Sequence, residues 1–206
     1  MDPKPNDAIL DLTDAAQLLT GSARGCVLWL TGLSGAGKST LAARLSELIE
    51  ASGRHVEVLD GDLVRQLLSQ GLGFTKEDRD MNVRRIGFVA NLLARSSCCA
   101  IAAAISPYEN VRQEIRAMVD PARADFIEVF VHAPLEVVEE RDTKGLYRRA
   151  RAGELKNFTG VSDPYEEPAD PEIVVHTGDE TVEESAGKVL RFLEERGLLA
   201  PEAADG

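Results

Sequence analysis

The chain has 206 residues, 35 acidic against 23 basic, for a formal net charge of −12. That balance argues against a general nucleic-acid binder, which would be basic. The length suits one α/β domain with a substantial core. No apolar run approaches the roughly 18 residues of a membrane span, and the N-terminus shows no basic-then-apolar leader pattern. A cytoplasmic protein is therefore expected.

Met1 to Arg24 is polar, with Pro3 and Pro5. Ile9, Leu10, Leu12, Leu18 and Leu19 suit a short amphipathic arm packing on a partner subunit, and nothing there carries chemistry. Cys26-Val27-Leu28-Trp29-Leu30 reads as a buried parallel strand. It runs into Gly32-Leu33-Ser34-Gly35-Ala36-Gly37-Lys38-Ser39-Thr40, which fits the phosphate-binding loop. The glycines let successive N–H groups point inward at phosphate oxygens. Lys38 can reach the β- and γ-phosphates, and Ser39 can place its hydroxyl on Mg²⁺. Leu41, Leu45, Leu48 and Ile49 then recur at helical spacing, so a helix turns its positive end toward the anion. Strand, glycine loop and helix together disfavour an ordinary turn with an exposed lysine.

Gly53 stops that helix, and His55 to Leu59 suits a second strand ending in Asp60-Gly61-Asp62. Two carboxylates there can serve Mg²⁺ or a hydroxyl proton, or form a turn with Asp62 as a helix N-cap. Leu63 to Gln70 reads as a short helix and Gly71-Leu72-Gly73-Phe74 as a loop. Thr75-Lys76-Glu77-Asp78 is a capping start. Arg79, Asn82, Arg84 and Arg85 follow beside a core stripe of Val83, Ile86, Val89, Ala90 and Leu93. The arginines fit either anion recognition or a solvated helix face. Cys98 to Ile105 is a buried strand ending in Ser106-Pro107-Tyr108, and a helix runs from Glu109 to Val119. Ser106 has no neighbouring histidine to activate it.

Phe126 to Val131 reads as a fourth strand, and a helix follows from Pro134 to about Arg141. Asp142 to Pro168 is long, basic and hinged by Gly145, Gly153 and Gly160, as a lid over phosphates would be. Tyr147, Phe158 and Tyr165 anchor it. Ile173 to His176 is a fifth strand, and Val182, Ala186, Val189, Leu190 and Leu193 line a final helix. Cys26, Cys98 and Cys99 read as buried reduced thiols, and His55, His132 and His176 as structural or exposed. The expected division is an arm at 1–24, one domain at 25–198 and a tail at 199–206.

Taken together, several motifs resemble those of the adenylyl-sulfate kinase family, in the family's order. They are Gly32 to Thr40, Asp60-Gly61-Asp62, Gly71-Leu72-Gly73-Phe74, Asp78-Arg79, Asn82, Arg84-Arg85-Ile86, Ile105-Ser106-Pro107-Tyr108, Lys144-Gly145-Leu146-Tyr147, Phe158-Thr159-Gly160 and Pro164-Tyr165-Glu166. The resemblance implies a P-loop three-layer sandwich, with a five-stranded parallel sheet between helices and a lid. It also implies transfer of the ATP γ-phosphate to the 3′-hydroxyl of adenosine 5′-phosphosulfate, with Mg²⁺, in a homodimer. By matching motifs, Asp62, Arg65, Phe74, Arg79, Asn82, Arg85, Ile105, Ser106, Lys144, Asn157 and Phe158 would line the acceptor site. Phe74 and Phe158 would sandwich the adenine. Lys38 and Asp60 would act in catalysis, Ser39 and Asp60 at the metal, and Ser106 carries the family's phosphoserine label.

Two positions depart from the family pattern. Ala104 stands where a bulky aromatic is usual, and Glu109 where an arginine is often found. They leave open a P-loop kinase for another nucleotide-linked or sugar acceptor. A nucleotide switch is disfavoured. No Asn-Lys-x-Asp run exists, and Asp142-Thr143-Lys144-Gly145 comes too late for the usual order.

Overall fold

Residues 24–199 are described by the structure, a computed structural model. The expected arm, apart from Arg24, and the tail from residue 200 lie outside them. Five strands form one parallel sheet: β1 Gly25–Thr31, β2 Val56–Asp60, β3 Cys99–Ala103, β4 Ala124–His132 and β5 Ile173–His176, in the order β2-β3-β1-β4-β5. The helices are α1 Lys38–Ala51, α2 Gly61–Leu67, α3 Lys76–Ala94, α4 Glu109–Met118, α5 Leu135–Arg141, α6 Leu146–Arg151 and α7 Val182–Glu195.

Strand periodicity explains the layers. β1 is buried along its whole length, because helices cover both faces of a parallel sheet. Its side chains alternate between two cores. Cys26, Leu28 and Leu30 join Leu41, Leu45, Val138, Val189 and Leu193 of α1, α5 and α7. Val27 and Trp29 join Val83, Ile86, Val111 and Ile115 of α3 and α4. The second core is closely packed at Gly87, where a Cβ would lie 2.6 Å from Ile115. A Gly87→Ala side chain would drive α3 off α4.

Each expected strand is present, β5 with the expected bounds and the others with ends shifted by a residue or two. The caps follow the sequence at Thr75, whose hydroxyl accepts from the Asp78 N–H at 3.2 Å. They do not at α2. There Asp60, not Asp62, is the N-cap, accepting from the Asp62 and Leu63 N–H groups at 2.9 and 3.4 Å. The helix starts two residues earlier than the apolar pattern suggests, at Gly61 rather than Leu63, so the first carboxylate falls at the cap. The lid is more ordered than a long loop. It contains α6, seated by the buried Tyr147 and Ala150.

All three cysteines are buried and free. His132 and His176 are far apart in sequence, but the β4–β5 pairing sets them side by side.

Candidate active site

The carboxyl ends of the strands open into a cavity of about 870 Å³, lined by the glycine loop, α2, α3, the end of β3 and the lid. This is the crevice where open α/β sheets bind ligands. β1 is the central strand, so the loop that follows it sits in the middle of that edge.

The loop's backbone is set by glycine. Gly32 takes φ +152°, and a Cβ there would lie 2.3 Å from the Val131 carbonyl oxygen of β4. Gly37 caps α1 in the left-handed region with no side-chain hydrogen bond, leaving the first-turn N–H groups for a ligand. The loop is also held from behind. Tyr147 Oη donates to the Ser34 carbonyl at 2.9 Å, and Thr177 Oγ1 to the Ala36 carbonyl at 2.7 Å. Tyr147 reads as an apolar anchor in the sequence, and Thr177 gives no signal there. Their partners are main-chain carbonyls, which leave no mark on the sequence.

Lys38 lies buried in this loop. Its Nζ donates to the Gly32 and Leu33 carbonyls at 2.8 and 2.7 Å. Burial pushes its pKa down to about 7, Lys144 adds to the fall, and Asp62 and Asp60 oppose it. Next to it, Ser39 Oγ donates to Asp60 Oδ2 at 2.7 Å. Asp60 thus divides its carboxylate, with Oδ1 capping α2 and Oδ2 facing the serine.

The opposite wall gathers residues from four segments. Arg65 lies with its guanidinium 4.3 Å from the centre of the Phe74 ring, which is itself exposed. Arg79 is buried and saturated by protein partners. It donates to the carbonyls of Phe74, at 3.1 Å, and Asn157, to Thr159 Oγ1 at 2.9 Å, and to Asp163 at 2.6 Å. It therefore clips the lid to the loop that carries Phe74. Tyr108 Oη donates to the same Asp163 oxygen at 2.6 Å, and burial pushes the phenol up to about 12. Asn82 keeps a buried side-chain oxygen with no partner in the same wall. Such an orphan acceptor is costly unless a ligand donates to it. Lys144 of the lid is paired with Asp62 of α2.

Ser106 adopts φ +40°, rare for a residue with a side chain. Its hydroxyl accepts from Trp29 Nε1 at 3.1 Å and donates to Thr31 Oγ1 at 2.9 Å. It is buried, with no general base beside it.

The structure thus brings Ser34, Gly35 and Gly37 to Thr40 of the loop, Asp60 and ten of the eleven acceptor-wall residues named from sequence to one cavity, while Gly32, Leu33 and Ala36 are not among its lining residues. Arg85 stands apart. It donates to the Leu68 carbonyl at 2.6 Å, tying α3 to the end of α2, and is not among the lining residues. Arg85 sits only about 60° round the helix from Asn82, and it is its bond to the Leu68 carbonyl that carries its guanidinium to the end of α2. Arg149, one of the basic residues of the expected lid, also lines the cavity, as do Arg141 and Thr177, which the sequence did not mark as site residues. Of the two departures, Ala104 contributes to the wall, whereas Glu109 lies behind it, accepting from Arg112 and Gln113.

A parallel sheet with a phosphate loop after its central strand, a hydroxyl–carboxylate pair beside it and a basic lid define a P-loop kinase. Comparison with known proteins narrows this. The adenylylsulphate kinase family model matches residues 24–176. The adenylyl-sulfate kinase of Rippkaea orientalis is 55% identical over 88% of this chain and 98% of its own. A probable bifunctional SAT/APS kinase of Sorangium cellulosum is 61% identical over 85% of this chain, which spans only 29% of that longer protein. Among solved structures, the APS kinase CysC of Mycobacterium tuberculosis in complex with AMPPNP and APS superposes with a TM-score of 0.78. It is 41% identical, over 83% of this chain and 98% of that one. The chain belongs to the adenylylsulphate kinase family.

Proposed function

We infer that this protein is an adenylyl-sulfate kinase. It transfers the γ-phosphate of ATP to the 3′-hydroxyl of adenosine 5′-phosphosulfate (APS), giving 3′-phosphoadenosine 5′-phosphosulfate. The observation that carries the reading is the convergence of the phosphate loop and the Phe74–Arg79–Asn82–Phe158 wall on one cavity. A donor and a nucleotide acceptor can lie there end to end, as in-line transfer requires.

The roles follow from the geometry. Residues Gly32 to Thr40 wrap the ATP phosphates. Lys38 exchanges its two carbonyl partners for phosphate oxygens, which restores its charge where negative charge builds up. Ser39 and Asp60 are the residues that would hold Mg²⁺. Their oxygens meet at 2.7 Å beside the loop, and the described residues contain no cluster of three or more ligating side chains. Few protein ligands, with phosphates and water supplying the rest, is the usual pattern for Mg²⁺. When bound, it neutralises charge on the transferring phosphate. Phe74 and Phe158 stack the acceptor's adenine, and Asn82 accepts a hydrogen bond from the acceptor. Arg79 holds the wall in shape. Asp62, Arg65, Ile105, Ser106, Lys144 and Asn157 complete the acceptor site, with Lys144 bringing the lid down on closure. Ser106 serves by position, since its hydroxyl is already engaged by Trp29 and Thr31.

The reading includes a domain at 25–198 and a homodimer working in the cytoplasm. Exposed Leu67, Phe88 and Leu92 on α2 and α3 favour association, and three unpaired buried thiols suit a reducing compartment. No helix among the described residues is long and apolar enough to cross a membrane.

The test is acceptor competition. APS should stimulate ADP formation from ATP far more than adenosine monophosphate or a sugar does. Equal stimulation by an unrelated acceptor would favour the rival kinase reading that Ala104 leaves open.

A further inference from the structure

Behind the acceptor wall lies a group of buried charges that the transfer chemistry does not use. Arg112 of α4 is fully buried, and Glu128, in the middle of β4, is 1% exposed. Arg112 Nε stands 2.8 Å from Glu128 Oε1, a charge contact outside hydrogen-bond alignment. The rest of the guanidinium points at main chain. Nη1 donates to the Ser106 carbonyl and Nη2 to the Glu166 carbonyl, both at 2.8 Å, and Nη2 also meets Glu109. The Glu166 N–H donates to the Pro107 carbonyl at 2.8 Å, and Glu166 Oε2 accepts from the Glu109 N–H at 2.7 Å. Arg116 closes the far side, 3.3 Å from Glu128 and paired with Glu172.

One side chain therefore fixes two segments at once: the end of β3, which forms the acceptor wall, and the return of the lid at Tyr165-Glu166. The fixed residue is the one with strained backbone. A residue such as Ser106 keeps φ +40° only where its surroundings hold it there. Burying two charges is costly in itself. Three directed hydrogen bonds from Arg112, beside its charge contact with Glu128, are more than simple core filling needs.

We propose that Arg112, oriented by Glu128 and Glu109, is a positioning residue for the acceptor: it locks the left-handed Ser106 and docks the lid's return segment against it. The proposal rests on the kinase reading for its kinetic arm only. Arg112 contributes nothing to the nucleotide loop, so its loss acts on the acceptor side. Glu109 belongs to this group, accepting from Arg112 where an arginine could not.

Two variants test it. Arg112→Lys keeps the charge beside Glu128 but cannot reach both carbonyls. Arg112→Met with Glu128→Gln removes both charges, so neither is left buried alone. Trp29 supplies a readout that needs no substrate, because it is the chain's one tryptophan and its indole N–H donates to Ser106 Oγ. The expected result in each folded variant is a shifted Trp29 emission, an acceptor KM raised at least about tenfold, and an ATP KM within about twofold of the parent. Unchanged emission, an unchanged acceptor KM, or equal rises in both KM values would overturn the proposal. If the parent shows no APS-dependent turnover, the kinase reading fails by itself, and the Trp29 emission alone decides the role of Arg112.

Discussion

Lys38 offers a thermodynamic probe of the phosphate loop. In the free protein its ammonium is buried, held by two carbonyls and repelled by Lys144, and its pKa falls from 10.5 to about 7. The unfolded chain therefore binds more protons than the folded one between about pH 7 and 10.5. The cost of the buried charge is fully present below pH 7 and is relieved as pH rises through that window. Stability of the free enzyme should climb across it, by an upper bound of about 5 kcal/mol. Phosphate oxygens replacing the carbonyls reverse the shift, so ATP binding must take up a proton. At pH 8 about nine-tenths of the free enzyme has neutral Lys38, giving uptake of about 0.9 proton per ATP; at pH 7 the lysine contributes about half a proton, and below pH 6 almost none. Calorimetric titration at pH 8, where ATP itself no longer titrates, in buffers of different ionisation enthalpy measures this directly. Buffer-independent heats at pH 8 would refute the reasoning. So would uptake that survives in Lys38→Met.

Other substitutions separate the roles of the site. Asp60→Asn keeps an oxygen to cap α2, so the fold and ATP binding should persist while turnover falls at least about a hundredfold; steady-state rates beside a binding titration check this. Arg79→Ala removes contacts to Phe74, Asn157, Thr159 and Asp163. A loss of about 3 kcal/mol of wall ordering would raise the acceptor KM about a hundredfold, with the ATP KM changed less than about threefold. Thr181→Ala breaks the capping box with Glu184 at the start of α7. It should lower stability by about 1 kcal/mol in denaturant unfolding and leave kinetics unchanged.

The sequence was most legible where local chemistry decides structure. The phosphate loop, the Thr75 cap and the five apolar strands are each set by neighbours within a few residues. Asp60 and Asp62 were harder, since either carboxylate fits a cap and a two-residue shift in the helix start decides between them. Glu128 shows in sequence only as an acidic residue inside an apolar strand. Its partner Arg112 lies on another element, so their pairing depends on how α4 packs across β4. Arg79 was legible as a candidate site residue and lines the cavity, but its partners come from Phe74 and the lid, about eighty residues away in the case of Thr159. The lid read as a basic, glycine-hinged loop. α6 inside it is six residues long, too short for periodicity to reveal.

The central claim is that this cavity joins ATP to APS. The measurement that tests it most directly is ADP release from Mg-ATP with and without APS, with the nucleotide product identified by mass. APS-dependent ADP and a product one phosphate heavier than the acceptor are expected. A folded, ATP-binding protein whose ADP release is indifferent to APS would contradict it.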